Sequence, residues 1–273
     1  MTNDPILAVC IRAARRAASV IVDAARDLRK LPAHARDRND IASNADTDAE
    51  DAIIATLRAA FPGHAIVGEE AGEIVSQIGD GAGGGGASTF KWIIDPLDGA
   101  ANFVHGYPYC AVSIALTQGN DVTHAVVLDP VHDELFTAAK GKGAQQNGTP
   151  IRTSTCVRLG DALVGTVLPA PASPTMPSFL RVHDALVAQC AGIRAAGAGA
   201  LDLAYVAAGR LDAFWLLNAR SSDIAAGALI VTEAGGRIDD LAGGTDAVRA
   251  KELVAATPGV FNALREAIAT ARR

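Results

Sequence analysis

Lys91-Trp92-Ile93-Ile94-Asp95-Pro96-Leu97-Asp98-Gly99 is the stretch on which the reading of this chain turns. Lys91 to Ile94 have the apolar, partly β-branched character of a buried strand. At its carboxyl end, two carboxylates three residues apart stand on a turn braced by proline and released by glycine. On such a turn Asp95 and Asp98 can converge on one point, and Leu97 can offer its backbone carbonyl to the same point. Hard cations such as magnesium take oxygen ligands of this kind and share them with water and substrate phosphate. Taken alone, Asp-Pro-x-Asp-Gly reads more readily as an ordinary turn carrying solvated acids.

Three further acids change that balance. Glu69 follows a short strand, Ala65-Ile66-Val67-Gly68, where the sheet's carboxyl edge brings it toward Asp95; alone it reads as a surface charge beside Glu70. Asp46 is expected to open a helix after a polar loop running from Pro32 to Asn44, and Asp223 to open another in Ser221-Ser222-Asp223-Ile224-Ala225-Ala226-Gly227. Each suits a helix N-cap. Together they set several carboxylates at element ends beside glycine or small residues.

Working outward, Ile6 to about Leu31 has an apolar stripe of helical period, stopped by Leu31-Pro32, and a second helix is expected from about Asp46 to Phe61. Gly79 to Ser88 is Gly-rich and reads as a surface loop; no Gly-Lys-Ser/Thr follows it, so it is not a nucleotide phosphate loop. Strand-like runs at 110–117, 123–129 and 134–138, separated by turn signals, suggest an antiparallel meander. The second half alternates strands near 163–167, 211–217 and 253–257 with helices near 178–190, 200–209, 223–234 and from 260 onward. Strands first and alternation afterwards predict an α/β architecture of two layers.

The bulk properties narrow the function. The 273 residues carry 24 basic against 30 acidic side chains, a formal charge of −6, which argues against a nucleic acid or an anionic membrane as partner. An acidic chain that handles phosphate needs a cation to bridge the two. Cys10, Cys110, Cys156 and Cys190 lie far apart without a CxxC, the pattern of reduced thiols in a cytoplasmic protein. Neither a signal peptide nor an apolar run long enough to span a membrane is read from the sequence.

Beyond the acids, Val67-Gly68-Glu69-Glu70, Trp92 to Gly99, and Asn102-Phe103-Val104-His105-Gly106-Tyr107-Pro108 follow one another in order. Gly141-Lys142-Gly143-Ala144 with Asn147-Gly148, and Asp223 to Gly227 with Thr232-Glu233-Ala234-Gly235-Gly236, continue the series. In order and spacing these blocks resemble the signature blocks of inositol monophosphatases over nearly the whole chain. The resemblance implies a five-layer αβαβα sandwich of the inositol monophosphatase and sugar phosphatase type, commonly a homodimer. Residues 1–150 would carry most metal ligands, and residues 151–273 would supply Asp223 and the substrate-side wall.

By the same resemblance two to three Mg2+ ions are expected. Glu69, Asp95 and the Leu97 carbonyl would hold the first; Asp95, Asp98 and Asp223 the second; a third, weaker ion would lean on Glu69 and water. The implied reaction is attack of a metal-activated water on a phosphate monoester. Glu69, Asp46 and Asp95 would be the catalytic set. The backbone N–H groups of Gly99 and Ala100 would cradle the phosphate, and Asp98, Gly197, Ala198, Leu216 and Asp223 would border the substrate.

Several positions depart from the family's pattern. Ala100 stands where Thr or Ser usually follows Asp-Gly, so the hydroxyl that would help Asp46 orient water is missing. Ser222 replaces Trp, Leu216 replaces an acid that contacts ring hydroxyls, and Gly197-Ala198-Gly199 replaces Gly-Thr-Ala. The expected substrate is a small phosphorylated polyol or sugar such as inositol monophosphate. Histidinol phosphate, another sugar phosphate or a nucleotide-derived phosphate stay open, as does a catalytically weakened member with a binding or regulatory role. His64 and His105 read as structural, Glu233 as a helix end, and Asp202 as a residue of the site or of a subunit contact.

Overall fold

The computed structural model describes residues 4–30, 37–69, 72–74, 89–241 and 251–273. The helix stop at Leu31-Pro32, Glu70 and the Gly-rich stretch 79–88 lie outside them.

Helix α1 (Pro5–Leu28) starts where Asp4 accepts hydrogen bonds from the N–H groups of Ile6 and Leu7, both at 3.0 Å, with Pro5 in the first turn. Its stripe of Leu7, Cys10, Ala13, Ala14, Ala17 and Ile21 is buried. Helix α2 runs from Asp37 to Ala60, so the polar stretch 37–44 is helical rather than loop, and Asp46 lies inside the helix rather than opening it. The physical reason is Arg38, 8% exposed, whose guanidinium donates to the carbonyls of Leu28 and Val104 and so ties the first turn down. Val104 is 66 residues away and Leu28 belongs to the preceding helix, so the local charge run concealed the helix start.

Strands β1 (Ala65–Val67), β2 (Glu73–Ile74), β3 (Phe90–Asp98), β4 (Ala111–Gln118), β5 (Asp121–Asp129), β6 (Glu134–Ala139), β7 (Ala144–Gln146) and β8 (Thr149–Pro150) form one sheet in the order β2-β1-β3-β4-β5-β6-β7-β8. From β3 onward this is an antiparallel meander, and β1 joins β3 in parallel. The second sheet has the order β10-β9-β11-β13-β12, from β9 (Leu163–Thr166), β10 (Gly192–Arg194), β11 (Ala213–Leu217), β12 (Arg237–Asp240) and β13 (Glu252–Ala256). The short strands β2, β7, β8, β10 and β12 have too little pattern of their own to be read from sequence.

Five further α-helices lie among the described residues, α3 (Ala100–His105), α4 (Met176–Val187), α5 (Gly199–Ala207), α6 (Ser221–Glu233) and α7 (Pro258–Ala271), besides one 3-10 turn at Leu159–Asp161. Helices α1 and α2 cover one face of the first sheet. Helices α5 and α6 pack between the two sheets, and α4 and α7 cover the far face of the second. The layers therefore run αβαβα. Three apolar cores follow from this: Trp92 and Ile94 with α1 and α2; Ala198, Leu203, Phe214 and Ile230 around the middle helices, on both their sheet-facing sides; Phe179, Trp215 and Phe261 on the far side. No helix among the described residues is long and apolar enough to cross a membrane.

Candidate active site

The site begins at a bulge in β3. Asp95 pairs with Ser113 of β4, but Asp98 pairs with Ala111, so three steps on one strand answer two on the other. The extra residue re-aims the strand end and leaves Asp95 and Asp98 pointing to different work. Asp95 is 1% exposed, and its Oδ1 accepts from the Leu97 N–H at 3.0 Å. Asp98 turns one oxygen, Oδ2, to the Ala200 N–H at 2.7 Å. That contact caps α5, whose own N-cap position is Ala198 and has no side chain able to do so.

Gly99 follows with φ +94°, and a Cβ there would lie 2.9 Å from the carbonyl oxygen of Tyr109. Only glycine fits the turn that swings the chain from Asp98 into α3. Ala100 and Ala101 are exposed in the first turn of that helix. Asn102 then donates from Nδ2 to the carbonyls of Tyr109 and Ala196, both at 2.7 Å, and so fastens α3 to the segment holding Gly197 and Ala198.

Carboxylate oxygens of Glu69, Asp95 and Asp223 lie within 4.8 Å of one another. Glu69 is delivered by the end of β1, and Asp223 by the first turn of α6. Asp223 accepts from the Arg220 N–H at 3.3 Å and from the Ser222 hydroxyl at 3.1 Å. Ser222 also offers its carbonyl to the Ser113 hydroxyl at 3.3 Å, which ties α6 to the strand opposite Asp95. Asp46 approaches from α2 closely enough for its charge to act on Asp95.

The cluster is electrostatically crowded. Burial, and then the charges of Asp98, Glu69, Asp223 and Asp46, push the Asp95 carboxyl well above the usual carboxylate range. Burial and Asp223 push Asp98 up to about 8, against the pull of the Ala200 N–H. Such crowding of carboxylates is unfavourable for the protein alone and is relieved by a divalent cation on oxygen ligands. The donor set fits magnesium.

Of the residues expected to line the substrate, Ala198 is fully buried and Leu216 is 6% exposed, both within the middle core. The two positions that lack the family's polar groups are therefore closed with apolar packing. Behind them Asp202 is fully buried on α5 and accepts from the Tyr109 hydroxyl at 2.6 Å. Burial raises its carboxyl to about 7, against that hydrogen bond.

Three residues escaped the sequence reading. Arg220 donates to Glu69 Oε1 and lies 3.4 Å from Asp223 Oδ1. Glu50, 2% exposed on α2, holds its carboxylate where a Cβ of Gly68 would be, 1.6 Å from that position, directly beside the backbone that carries Glu69. Asn102, read above only as part of a sequence block, is the third, for its tie between α3 and the Ala196 carbonyl. A signal existed for Glu50, four residues after Asp46 and so on the same helix face; none existed for Arg220. Of the residues set aside, His64 stacks between Phe61 and Phe90, and Glu233 accepts from the N–H groups of Gly141 and Gly143, both at 2.7 Å.

An αβαβα sandwich with convergent carboxylates at a strand bulge defines a class of layered α/β proteins suited to hold hard cations. The chain belongs to the inositol monophosphatase family, whose sequence model it matches over residues 2–273. It is 44% identical over 262 residues to the Nus factor SuhB of Pseudomonas aeruginosa, covering 95% of this chain and 94% of that protein. Among solved structures it resembles the extragenic suppressor protein suhB of Bartonella henselae, at 36% identity and TM-score 0.84, covering 97% of this chain and 100% of that one. It also resembles the inositol monophosphatase from Anabaena (Nostoc) sp. PCC 7120, at 29% identity and TM-score 0.81, over 97% and 95% of the two chains.

Proposed function

We propose that this protein is a magnesium-dependent phosphomonoester hydrolase acting on a small phosphorylated polyol or sugar, such as inositol monophosphate. The observation that carries the reading is the convergence of Glu69, Asp95 and Asp223 oxygens within 4.8 Å. Glu69, Asp95, the Leu97 carbonyl, Asp98 through its second oxygen, and Asp223 would hold two to three Mg2+ ions. Bound there, magnesium supplies an acidified water and neutralises charge on the leaving oxygen.

The protein's own part is positioning. Gly99 and Ala100 N–H groups at the start of α3 bind phosphate oxygens. Asp46 and Glu69 orient the attacking water and accept its proton, and Ala100 gives Asp46 no hydroxyl to share in that. Gly197 would border the polyol, and Ala198 and Leu216, packed into the core behind it, leave that wall poorer in hydrogen bonds than the family's usual one. Loss of the water-orienting hydrogen bond at Ala100 reduces rate on the order of tenfold to a thousandfold. Residues 1–150 form the half that carries most ligands, and residues 151–273 the half that closes the site with Asp223. On this reading the partners are the ester and a second copy of the chain in a cytoplasmic homodimer; the net charge of −6 argues against nucleic acid and membrane surfaces.

A second reading, a weakened enzyme acting as a binding or regulatory partner, is favoured by Ala100, and a relative bearing the name Nus factor is compatible with it. The deciding assay is phosphate release from a panel of inositol, sugar, histidinol and nucleotide-derived monophosphates, with and without magnesium. The expected outcome is magnesium-dependent turnover that disappears in Asp95→Asn and rises at least severalfold in Ala100→Thr. Magnesium binding without release from any ester, in either the parent or Ala100→Thr, would overturn the enzyme reading in favour of the second.

A further inference from the structure

Arg220 precedes α6 and sits over the acid cluster. Its Nη1 donates to Glu69 Oε1, and its Nε lies 3.4 Å from Asp223 Oδ1. It thus spans two of the three carboxylates whose oxygens converge. Burial works against its charge, but Asp223, Glu69 and Asp95 outweigh that and hold the guanidinium above its ordinary value. Among the described residues, no other ion pair reaches Glu69, Asp95 or Asp223.

The backbone of Arg220 is fixed, because its N–H and carbonyl both bond to Asp223, at 3.3 and 3.1 Å. The side chain is not: it is 62% exposed and can leave the cluster for solvent without repacking anything. A guanidinium and a divalent cation cannot share the same carboxylates a few ångströms apart without strong repulsion. We propose that Arg220 is a resident counter-ion that occupies the acid cluster when metal is absent and swings out as a divalent cation enters, setting ion affinity by competition. The inference rests on the magnesium reading above and extends it.

Competition and support predict opposite signs. Were Arg220 a brace that holds Glu69 and Asp223 in place for the metal, its removal would weaken magnesium binding. As a competitor, its removal strengthens binding and leaves the metal-free cluster without neutralisation. Titration calorimetry with magnesium chloride on the whole protein decides between them. Arg220→Gln is expected to bind magnesium about threefold to tenfold more tightly, the scale of two partly exposed ion pairs, with Arg220→Lys in between. In parallel, metal-free Arg220→Gln should unfold at a lower temperature than the parent, and saturating magnesium should close that gap. Unchanged or weaker binding in Arg220→Gln overturns the inference while leaving the magnesium reading standing. No heat from either protein sinks that reading, and the inference with it.

Discussion

Replacing Asn102 by alanine should loosen the joint between the two sheets more than its half-buried position suggests. Its amide makes two hydrogen bonds of 2.7 Å, to the Tyr109 carbonyl beside the Gly99 turn and to the Ala196 carbonyl 94 residues away. Each such bond contributes about 1 kcal/mol net, and the carbonyls left behind lose part of their compensation. The expected loss is therefore about 2–3 kcal/mol, or a fall of roughly 4–10 °C in unfolding temperature for a chain of this size. Asn102→Asp separates hydrogen bonding from shape: an ionised carboxylate would face two carbonyl oxygens, so it should be less stable than alanine at neutral pH and recover on acidification. Urea and thermal unfolding of the three proteins, with matched slopes, is the assay. A loss below about 0.5 kcal/mol for alanine, or an aspartate variant as stable as the parent, would refute the view that Asn102 fastens the halves together.

Gly99→Ala should cost about 2–4 kcal/mol, because its φ of +94° is strained for alanine and the new Cβ meets the Tyr109 carbonyl at 2.9 Å; denaturant unfolding checks this. The metal-free protein should lose stability as pH rises. Asp98 at about 8 and Asp202 at about 7 both stand above their ordinary 3.8, so the folded state binds more protons than the unfolded state between those values. The stability is thus fully present below about pH 4 and is lost progressively as pH climbs from there to 7 and 8. Unfolding in chelator across that range should show the slope, Asp202→Asn should remove part of it, and a flat profile would contradict the assignment.

Much of this was legible because it is local. The run Lys91 to Gly99 announces a buried strand ending in acids, and the helical stripe of α1 stands out over six turns. What stayed hidden depends on pairing across the chain. Arg38 anchors the start of α2 through Leu28 and Val104, so a run of charges that looks like loop is helical. Arg220 meets Glu69 across 151 residues, and Tyr109 meets Asp202 across 93. No periodicity encodes such partners; they exist only once the layers are stacked. Likewise Ala198 and Leu216 read as substrate wall, and only packing revealed how fully each belongs to the middle core.

Asp98 holds a helix as well as standing in the proposed site. A mutation there would remove a proposed ion ligand and, in the same stroke, strip α5 of its cap. Such a residue would be retained by selection for folding alone, in a lineage that had ceased to hydrolyse anything. Ala100 lies under no such obligation, exposed at the lip of the site. Changes of vocation in proteins built this way should therefore be sought in their idle neighbours, where drift is cheap, while the acids stay as they were.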